Sequence, residues 1–445
     1  MEKDLTPRPG IADRLSAMIQ LPTVSAERET RGLEPFEAFE ALIAELYPLV
    51  HEKLSREKIT DLGLLYFWQG SDESLDPAVL MAHYDVVPVD ENDDWTYPPF
   101  EGRITDGWVY GRGALDDKGP LVVVLDAVEN LLASGFTPRR SIYLSFGGDE
   151  EVHGNAAKVI SQTLHERGVT PWLVIDEGGA VVDPPLPFLE GDAAMIGVAE
   201  KGIATVRLSA FSQGGHASTP KGLTAVSRVT RAVNRLQPST FASRAPEGVI
   251  RMLEAFARKA PARFAAPLRQ LAAHPKVAAR VLTAAGGEMA AMVRTTISPT
   301  MLSGGTAHNV LPSAASAIIN LRIALGETVE GTVRRVRAQV RDPLITVELV
   351  EGSDPSPESA TDNEQFALIE QAIGVSHPGT QPVPYLVMAA TDSRWFHRFA
   401  PAVYRFAPLK MTAAQRATIH AVDEQVEVAE LERGEVFHRS LIKGL

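Results

Sequence analysis

The segment SIYLSFGGDEEVHGNAAKVISQTLHERG, residues 141–168, contains an apolar run, a cluster of three acids and an amphipathic helical pattern in succession. A second apolar run, PWLVIDEGG at residues 171–179, follows it. Strand, helix and strand in this order predict an α/β layered sheet covered by helices. Sites in such sheets form at the carboxyl ends of the strands, which is where Asp149, Glu150 and Glu151 stand. Because adjacent ionised carboxylates repel each other, three acids in a row suggest a positively charged partner.

The domain organisation is predicted from a change of pattern at Gly202. Before it, helical and strand patterns alternate. After it come the alternating strands GIATVRLSAFS, SAASAIINLRI and ITVELVEG, with a helical pattern at residues 329–340. We therefore predict a first domain of residues 1–200 and 354–445, interrupted by an α+β domain of residues 201–353. Within the latter, residues 238–299 form an Ala/Arg-rich and largely helical segment that carries no polar constellation.

Composition limits the possible functions. A chain of 445 residues favours two domains. The formal net charge of -13 argues against nucleic acid or an anionic membrane as a partner. The chain has no cysteine, so any metal site must use histidine and carboxylate ligands. The N-terminal segment has no apolar signal region and the longest apolar runs are far too short to span a bilayer, so we expect a cytoplasmic protein.

Two motifs place candidate ligands near strand ends. In VLMAHYDVVP, His83 and Asp85 are two residues apart and project from the same face, which suits a metal-binding histidine and the carboxylate that orients it. VYGRGALDDKG, residues 109–119, has some likeness to a dinucleotide fingerprint, but Asp116 occupies the third glycine position and would repel a pyrophosphate. The glycines instead allow a tight turn that presents Asp116.

Further candidates are Asp176, at the end of the strand in VIDEGG, and His420 in QRATIHAVDE. Each of these residues alone could lie on a solvated loop. Together in one α/β domain they form a candidate site for two metal ions. The motifs GxxxxGK[ST] and GxSxG are absent from the sequence, which excludes the commonest nucleotide-binding and serine hydrolase signatures.

Seven ordered motifs carry a family resemblance: HYDVVP, WTYPPFEG, GRGALDDKG, GDEE, DEGG, GGHAS and IHAVDE. In this order and spacing the chain resembles the aminoacylase and carboxypeptidase S family of co-catalytic dizinc metallopeptidases over essentially its whole length. The likeness is greatest to the carboxypeptidase S branch, which includes N-acyl amino acid hydrolases. The resemblance implies a zinc-exopeptidase-like mixed sheet flanked by helices, and identifies residues 201–353 as an inserted α+β lid and dimerisation domain, here called the lid.

The resemblance also implies roles for the candidate residues. One zinc ion would be bound by His83, Asp116 and Asp176, and the other by Asp116, Glu151 and His420, with Asp116 as the bridge and a cis peptide bond after it. The nucleophile would be a hydroxide that bridges the metals, and Glu150 the general base. Because histidine and carboxylate ligands also accept Co²⁺ and Mn²⁺, the sequence does not select zinc by itself.

In the lid, the resemblance implies that His216 stabilises the oxyanion, often in the partner subunit's site, and that a homodimer can form through this domain. Asn309, Arg322 and Arg394 match positions near the substrate carboxylate. Arginine suits this role because its planar fork pairs with both oxygens. The chain departs from the usual pattern at His153, Ala389, Ala390 and Trp395, which puts the shape of the substrate pocket in question.

These observations predict a dizinc hydrolase that cleaves a peptide or amide bond adjacent to a free carboxylate. A dipeptidase or carboxypeptidase and an N-acyl amino acid amidohydrolase both fit. An alternative is a desuccinylase-like deacylase of a biosynthetic intermediate. A non-catalytic metal-binding relative is a further alternative, although the loss of Glu150 or of a ligand that would mark it is not seen.

Overall fold

The computed structural model of the protein describes residues 6–90, 92–220 and 222–445. The charged residues 1–5, on which part of the localisation prediction rests, lie outside the described residues. The strands are β1 (Ser55–Thr60), β2 (Gly63–Trp68), β3 (Ala78–His83), β4 (Arg103–Thr105), β5 (Trp108–Tyr110), β6 (Ile142–Gly147), β7 (Leu173–Asp176), β8 (Val181–Val182), β9 (Ala193–Glu200), β10 (Gly202–Phe211), β11 (Gly215–His216), β12 (Thr296–Gly304), β13 (Val310–Leu311), β14 (Ala314–Ile323), β15 (Ile345–Ser353), β16 (Gln381–Val387), β17 (Val403–Arg405) and β18 (Gln425–Glu427).

The helices in the described residues are α1 (Ile11–Ile19), α2 (Arg28–Arg31), α3 (Glu34–Leu46), α4 (Pro48–Lys53), α5 (Lys118–Ala133), α6 (Asn155–Glu166), α7 (Ala225–Arg235), α8 (Glu247–Lys259), α9 (Ala262–Ala273), α10 (Pro275–Ala285), α11 (Gly287–Met292), α12 (Val329–Val340), α13 (Glu364–Ser376), α14 (Ala413–Arg416) and α15 (Val428–Gly444). None of them is long and apolar enough to cross a membrane.

A nine-stranded mixed sheet, here called the large sheet, has the order β1-β2-β6-β3-β7-β17-β9-β16, with β8 paired to β9. Strands β6, β3, β7 and β17 run parallel, so their carboxyl ends lie at the same edge. Strand β3, AVLMAH, is buried along its length, which explains its continuous apolar run. The predicted fold class, a mixed sheet flanked by helices with a separate sheet-containing domain, is confirmed.

Helices cover both faces of the large sheet. Helix α5 is apolar on nearly all sides because it packs between β3 and the helices α1, α4 and α15. On the other face, α6 packs against β1, β2 and β6 with its buried residues Ala157, Ile160 and Leu164. These two layers fix the loops at the carboxyl edge, where the candidate ligands lie.

The lid is built on an antiparallel sheet of order β12-β14-β10-β15. Buried and less buried residues alternate along β10, GIATVRLSAF, because α7 and α12 cover only one face. The two chain segments that connect the lid to the large sheet run side by side at Gly202. A Cβ on Gly202 would lie 2.6 Å from the carbonyl oxygen of Ser353 and from the nitrogen of Pro355. Only glycine allows this approach of the two chain segments.

The helical segment α8 to α11 packs on the large sheet, although the sequence analysis grouped residues 238–299 with the lid. Helix α8 contacts β16, and the buried side chains of α8, α9 and α10 belong to the same core as the large sheet. Strand β12 of the lid sheet already begins at Thr296. The amphipathic pattern of these helices indicates that they bury one face, but it does not say against which domain.

Candidate metal centre

Four of the five candidate ligands come from separate parts of the chain that meet at the carboxyl edge of the large sheet. His83 ends β3 and Asp176 ends β7, while Glu151 lies in a short 3₁₀ turn, Glu150–Val152, directly after β6. Asp116 comes from the loop that precedes α5. This convergence follows from the strand order, since β6, β3 and β7 are adjacent in the sheet.

Asp116 lies between two imidazoles. Its Oδ1 is 3.0 Å from Nε2 of His83 and its Oδ2 is 3.1 Å from Nε2 of His420. The same His420 nitrogen lies 3.1 Å from Oε1 of Glu151. One ligand atom each from His83, Asp116 and Glu151 lie within 4.8 Å of one another. The peptide bond between Asp116 and Asp117 is cis.

Asp85 is fully buried and contacts both sides of the centre. Its Oδ1 lies 3.2 Å from Nδ1 of His83, which leaves Nε2 of that ring directed at Asp116. Its two carboxylate oxygens accept hydrogen bonds from the backbone N–H groups of Glu150 and Glu151, each at 3.1 Å. Asp85 therefore orients the histidine and holds the turn that carries the two glutamates.

The three consecutive acids have different surroundings. Asp149 is buried and its Oδ1 accepts a hydrogen bond from the N–H of Ala156 at 2.9 Å, which stabilises the start of α6. The chain turns at Gly148, where a Cβ would lie 2.6 Å from the ring of Tyr84. Asp149 directly precedes the 3₁₀ turn that carries Glu150 and Glu151. The predicted bend at Gly147 and Gly148 lies just before Asp149, and it brings the chain into close contact with an aromatic ring.

The charges of the centre are poorly compensated by the protein alone. Burial, together with the charges of Asp392 and Glu151, raises the pKa of Glu150. Burial likewise raises the pKa of Glu177, and Asp116 adds to the effect. Hydrogen bonds to Asp116 and Glu151 raise the pKa of His420 to about 10. A centre that draws protons onto an imidazole and onto several carboxylates is one that attracts positive charge.

The residues present fit divalent cations. Two imidazoles and several carboxylates form a mixed nitrogen and oxygen donor set, which zinc, cobalt and manganese accept. Within the described residues, the buried Oδ1 atoms of Asp117 and Asp392 have no hydrogen-bond partner. Asp176 ends β7, the strand paired with β3, and its Oδ2 accepts a hydrogen bond from the N–H of Ser393 at 2.7 Å.

The predicted substrate-binding residues lie at different places. Arg322 on β14 is half-buried, and in the described part of the chain its guanidinium forms no hydrogen bond or ion pair. The guanidinium of Arg394 donates to the carbonyl oxygens of Thr391 and His153, each at 3.0 Å. Burial lowers the pKa of Arg322, and the charge of Glu150 opposes this effect. The charge of Arg394 in turn opposes the rise in the pKa of Glu150.

His216 and Asn309 are exposed on the lid. Nδ1 of His216 lies 2.7 Å from Oγ of Ser218, and the carbonyl oxygen of Asn309 accepts a hydrogen bond from the N–H of Ala217. Among the described residues, neither of the two side chains is hydrogen-bonded to the metal-ligand candidates of the same chain.

Comparison with known proteins decides the family. The sequence matches the family described as peptidase family M20/M25/M40 over residues 79–444. The chain belongs to this family. It is 32% identical over 442 residues to N-fatty-acyl-amino acid synthase/hydrolase PM20D1.1 of Danio rerio, covering 98% of this chain and 86% of the relative. It is 32% identical over 443 residues to the probable carboxypeptidase S-like 2 of Dictyostelium discoideum, covering 97% and 84%.

Solved structures of M20-like fold superpose on the whole chain. Human carnosine dipeptidase 1 aligns with a TM-score of 0.69 at 16% identity, covering 97% of this chain and 95% of that one. The M20 family metallo-carboxypeptidase Sso-CP2 of Sulfolobus solfataricus aligns with a TM-score of 0.70 at 16% identity, covering 98% and 99%. The family resemblance seen in the sequence is confirmed, and the chain is an enzyme of the metallopeptidase and amidohydrolase class.

Glu424, which no sequence pattern marks as functional, supports the Asp116 loop of this M20 enzyme. The buried Glu424 carboxylate accepts hydrogen bonds from the N–H groups of Gly113, Leu115 and Asp116 at 3.1, 2.8 and 3.1 Å, and from Nη1 of Arg112 at 2.8 Å. The only sequence signal was its place at the end of the motif IHAVDE, four residues after His420.

A second buried network joins the lid connection to Asp176. Oε2 of Glu200, at the end of β9, accepts hydrogen bonds from the N–H and the hydroxyl of Thr391, both at 3.0 Å. Nε of Arg405 donates to the same oxygen at 3.2 Å. The hydroxyl of Thr391 lies 2.8 Å from that of Ser393, whose N–H donates to Asp176. Glu200 thus fixes the loop that orients Asp176.

Proposed function

We propose that this M20 family member hydrolyses a peptide or amide bond next to a free carboxylate with the help of two divalent cations. The observation that carries the proposal is Asp116, whose two carboxylate oxygens each lie about 3 Å from a different imidazole. A carboxylate in this position is suited to bridge two cations. The nearby Glu150 supplies an acid–base group at the same centre.

His83, Asp116 and Asp176 would bind one cation, and Asp116, Glu151 and His420 the other. Zinc is the expected metal, with Co²⁺ or Mn²⁺ as alternatives that suit the same donors. When bound, such cations polarise a carbonyl group and lower the pKa of a water molecule. Asp85 and Glu424 have positioning roles. Asp85 orients His83, and Glu424 holds the Asp116 loop in place.

Glu150 is proposed as the general base. Its backbone is held by Asp85, and burial with neighbouring negative charge raises the pKa of its carboxyl group. A general base works best when its pKa is close to the working pH. Its carboxylate would accept a proton from the attacking water molecule and transfer it to the leaving nitrogen.

Arg322 is proposed to bind the free carboxylate of the substrate. Its guanidinium is half-buried and forms no ion pair within the described residues, so a planar bidentate donor is available. Arg394, in the domain that carries the metal-ligand candidates, is proposed to attract the same substrate carboxylate through its positive charge. Its N–H groups meanwhile donate to the carbonyl oxygens of Thr391 and His153.

His216 and Asn309 are proposed to act in the site of a partner subunit in a homodimer. The edge strand β12 of the lid sheet exposes Met301 and Leu302 to 68% and 65%, and such an apolar edge favours pairing with another chain. A dimer through this edge would account for an oxyanion-stabilising histidine that is exposed in the single chain.

The experiment that tests the proposal is the substitution Glu150→Gln. Because general base catalysis contributes about 10²–10⁴-fold, we expect kcat on dipeptides and N-acetyl amino acids to fall by at least about 100-fold. Metal analysis should still find two cations per chain. The exposed Glu166, substituted in the same way, serves as the control and should retain wild-type kcat. A Glu150→Gln enzyme with kcat within about threefold of wild type would refute the assignment.

A further inference from the structure

A cavity of about 350 Å³ opens next to Asp116 and extends away from the metal-ligand candidates. It lies between the large sheet and the helical segment α8 to α11. Its walls are mainly apolar and are rich in methionine: they include Met195, Met252, Phe256, Met289, Met292 and Met411. Four of these six side chains come from α8 and α11, the segment for which the sequence predicted no role.

The cavity reaches Asp116 but is not lined by the two arginines proposed to bind the substrate carboxylate. Asp116 and Glu177 line one end of the cavity, whereas Glu150, Arg322 and Arg394 do not line it. A substrate with its carboxylate at the arginines and its scissile amide at Asp116 would therefore direct the other side of the amide into the cavity. In an N-acyl amino acid, that side is the acyl chain.

The helical wall of the cavity is fixed to the large sheet. Gln381 of β16 donates to the carbonyl oxygen of Ala255 at 2.6 Å. The buried Nζ of Lys201 donates to the carbonyl oxygens of Ala291 and Arg294 at 3.0 and 2.9 Å, which anchors the end of α11. A wall held at both ends forms a pocket that exists before the substrate binds.

We infer that this cavity binds an extended apolar acyl group, so that the preferred substrates are N-acyl amino acids with medium to long acyl chains. The inference rests on the proposed function. Methionine side chains are flexible and adapt to an apolar chain of variable conformation. At about 30 Å³ per water-sized group, the volume accommodates roughly ten methylene groups. Exposed Asp183, Glu288 and Arg416 line its outer part, where a longer chain would leave the protein.

The first test is the dependence of kcat/KM on acyl length in a series of N-acyl-L-leucines from acetyl to hexadecanoyl. Burial of one methylene favours binding by about fourfold. We therefore expect kcat/KM to rise by about that factor per carbon up to roughly ten carbons, and then to level off. A profile that is flat or that falls with acyl length would overturn the inference.

The second test fills the cavity with Met289→Trp and, separately, Met252→Trp. The ratio of kcat/KM for the dodecanoyl and acetyl substrates should fall by at least about tenfold in both variants, because the indole occupies space needed by the chain. Val281→Trp adds the same side chain to the exposed surface of α10, outside the cavity, and should leave the ratio unchanged. An unchanged ratio in both cavity variants would contradict the assignment.

A binding readout separates this inference from the proposed function. Calorimetric titration of the Glu150→Gln protein should show that N-dodecanoyl-L-leucine binds at least about 100-fold more tightly than N-acetyl-L-leucine, and that Met289→Trp abolishes the difference. Hydrolysis of acetyl substrates and dipeptides without any chain-length preference would refute only the acyl pocket. If kcat/KM depended on the amino acid side chain of the substrate instead of the acyl length, and Met289→Trp changed that dependence, the cavity would bind the side chain and the inference would be wrong. Absence of all amide hydrolysis would refute the proposed function, and the inference with it.

Discussion

Glu424→Gln is expected to destabilise the protein because the wild-type carboxylate satisfies four donors in a fully buried site. Oε1 accepts from the N–H groups of Leu115 and Asp116, and Oε2 accepts from Gly113 and Arg112. A glutamine keeps only one acceptor oxygen. In either orientation of its amide, the NH₂ group faces two donors and two hydrogen bonds are lost.

The magnitude follows from these contacts. A hydrogen bond to a charged group contributes about 1.5–3 kcal/mol, so the loss of two amounts to about 3–6 kcal/mol. When the Arg112 guanidinium loses its partner, a buried charge is left uncompensated, for which about 3–5 kcal/mol is typical. At about 2 °C per kcal/mol, the lower end of the range and the one that suits a large domain, we expect the melting temperature to fall by about 10 °C.

The assay is thermal unfolding of the metal-loaded wild type and variants, followed by circular dichroism, with metal content measured on the same samples. Glu427→Gln is the matched control, because Glu427 lies three residues further along the chain, at the end of β18, and is exposed. It should change the melting temperature by no more than about 2 °C. If Glu424→Gln matched this control, the account of the Asp116 loop as a structure organised by Glu424 would be wrong.

Three further predictions concern the substrate side, acid sensitivity and the metal. Arg322→Ala should raise KM about 10–100-fold for substrates with a free carboxylate but not for their carboxamide analogues, as steady-state kinetics on both series would show. Burial lowers the pKa of His438 to about 3, so below pH 6.5 the unfolded chain binds a proton that the folded chain does not, and stability is lost as pH falls towards 3. His438→Phe should therefore make the pH dependence of urea unfolding between pH 6.5 and 4 shallower, by up to about 1.4 kcal/mol per pH unit; equal slopes would contradict this. Glu200→Gln should weaken metal affinity about 10–100-fold in competition with a chelator, through the loop that orients Asp176; unchanged affinity would show that this network is not needed for it.

Much of the centre could be predicted from the sequence because the parallel strands carry their signals locally. The apolar run AVLMAH ends at His83 and the run LVID ends at Asp176. Continuous apolar runs of this length indicate buried parallel strands, whose carboxyl ends lie at the same edge of the sheet. The bend that follows β6 is also indicated by the local glycines, Gly147 and Gly148. Only the family resemblance related His420 to Glu151, since 269 positions separate them and no local pattern encodes their contact.

Features that depend on tertiary packing were not predictable. The sequence does not distinguish a buried glutamate such as Glu424 from a solvated one. Only the folded chain shows the four donors around it. The helices α8 and α11 present apolar faces, but periodicity does not tell whether they cover the lid or the large sheet. The cavity next to Asp116 exists because they cover the large sheet.

The central claim is that two cations share the Asp116 carboxylate, and anomalous diffraction from crystals of the zinc-loaded enzyme tests it most directly. The account predicts two anomalous peaks per chain, one in contact with His83 and Asp176 and the other with Glu151 and His420, with one oxygen of Asp116 directed at each. A single peak, or two peaks without Asp116 between them, would contradict it.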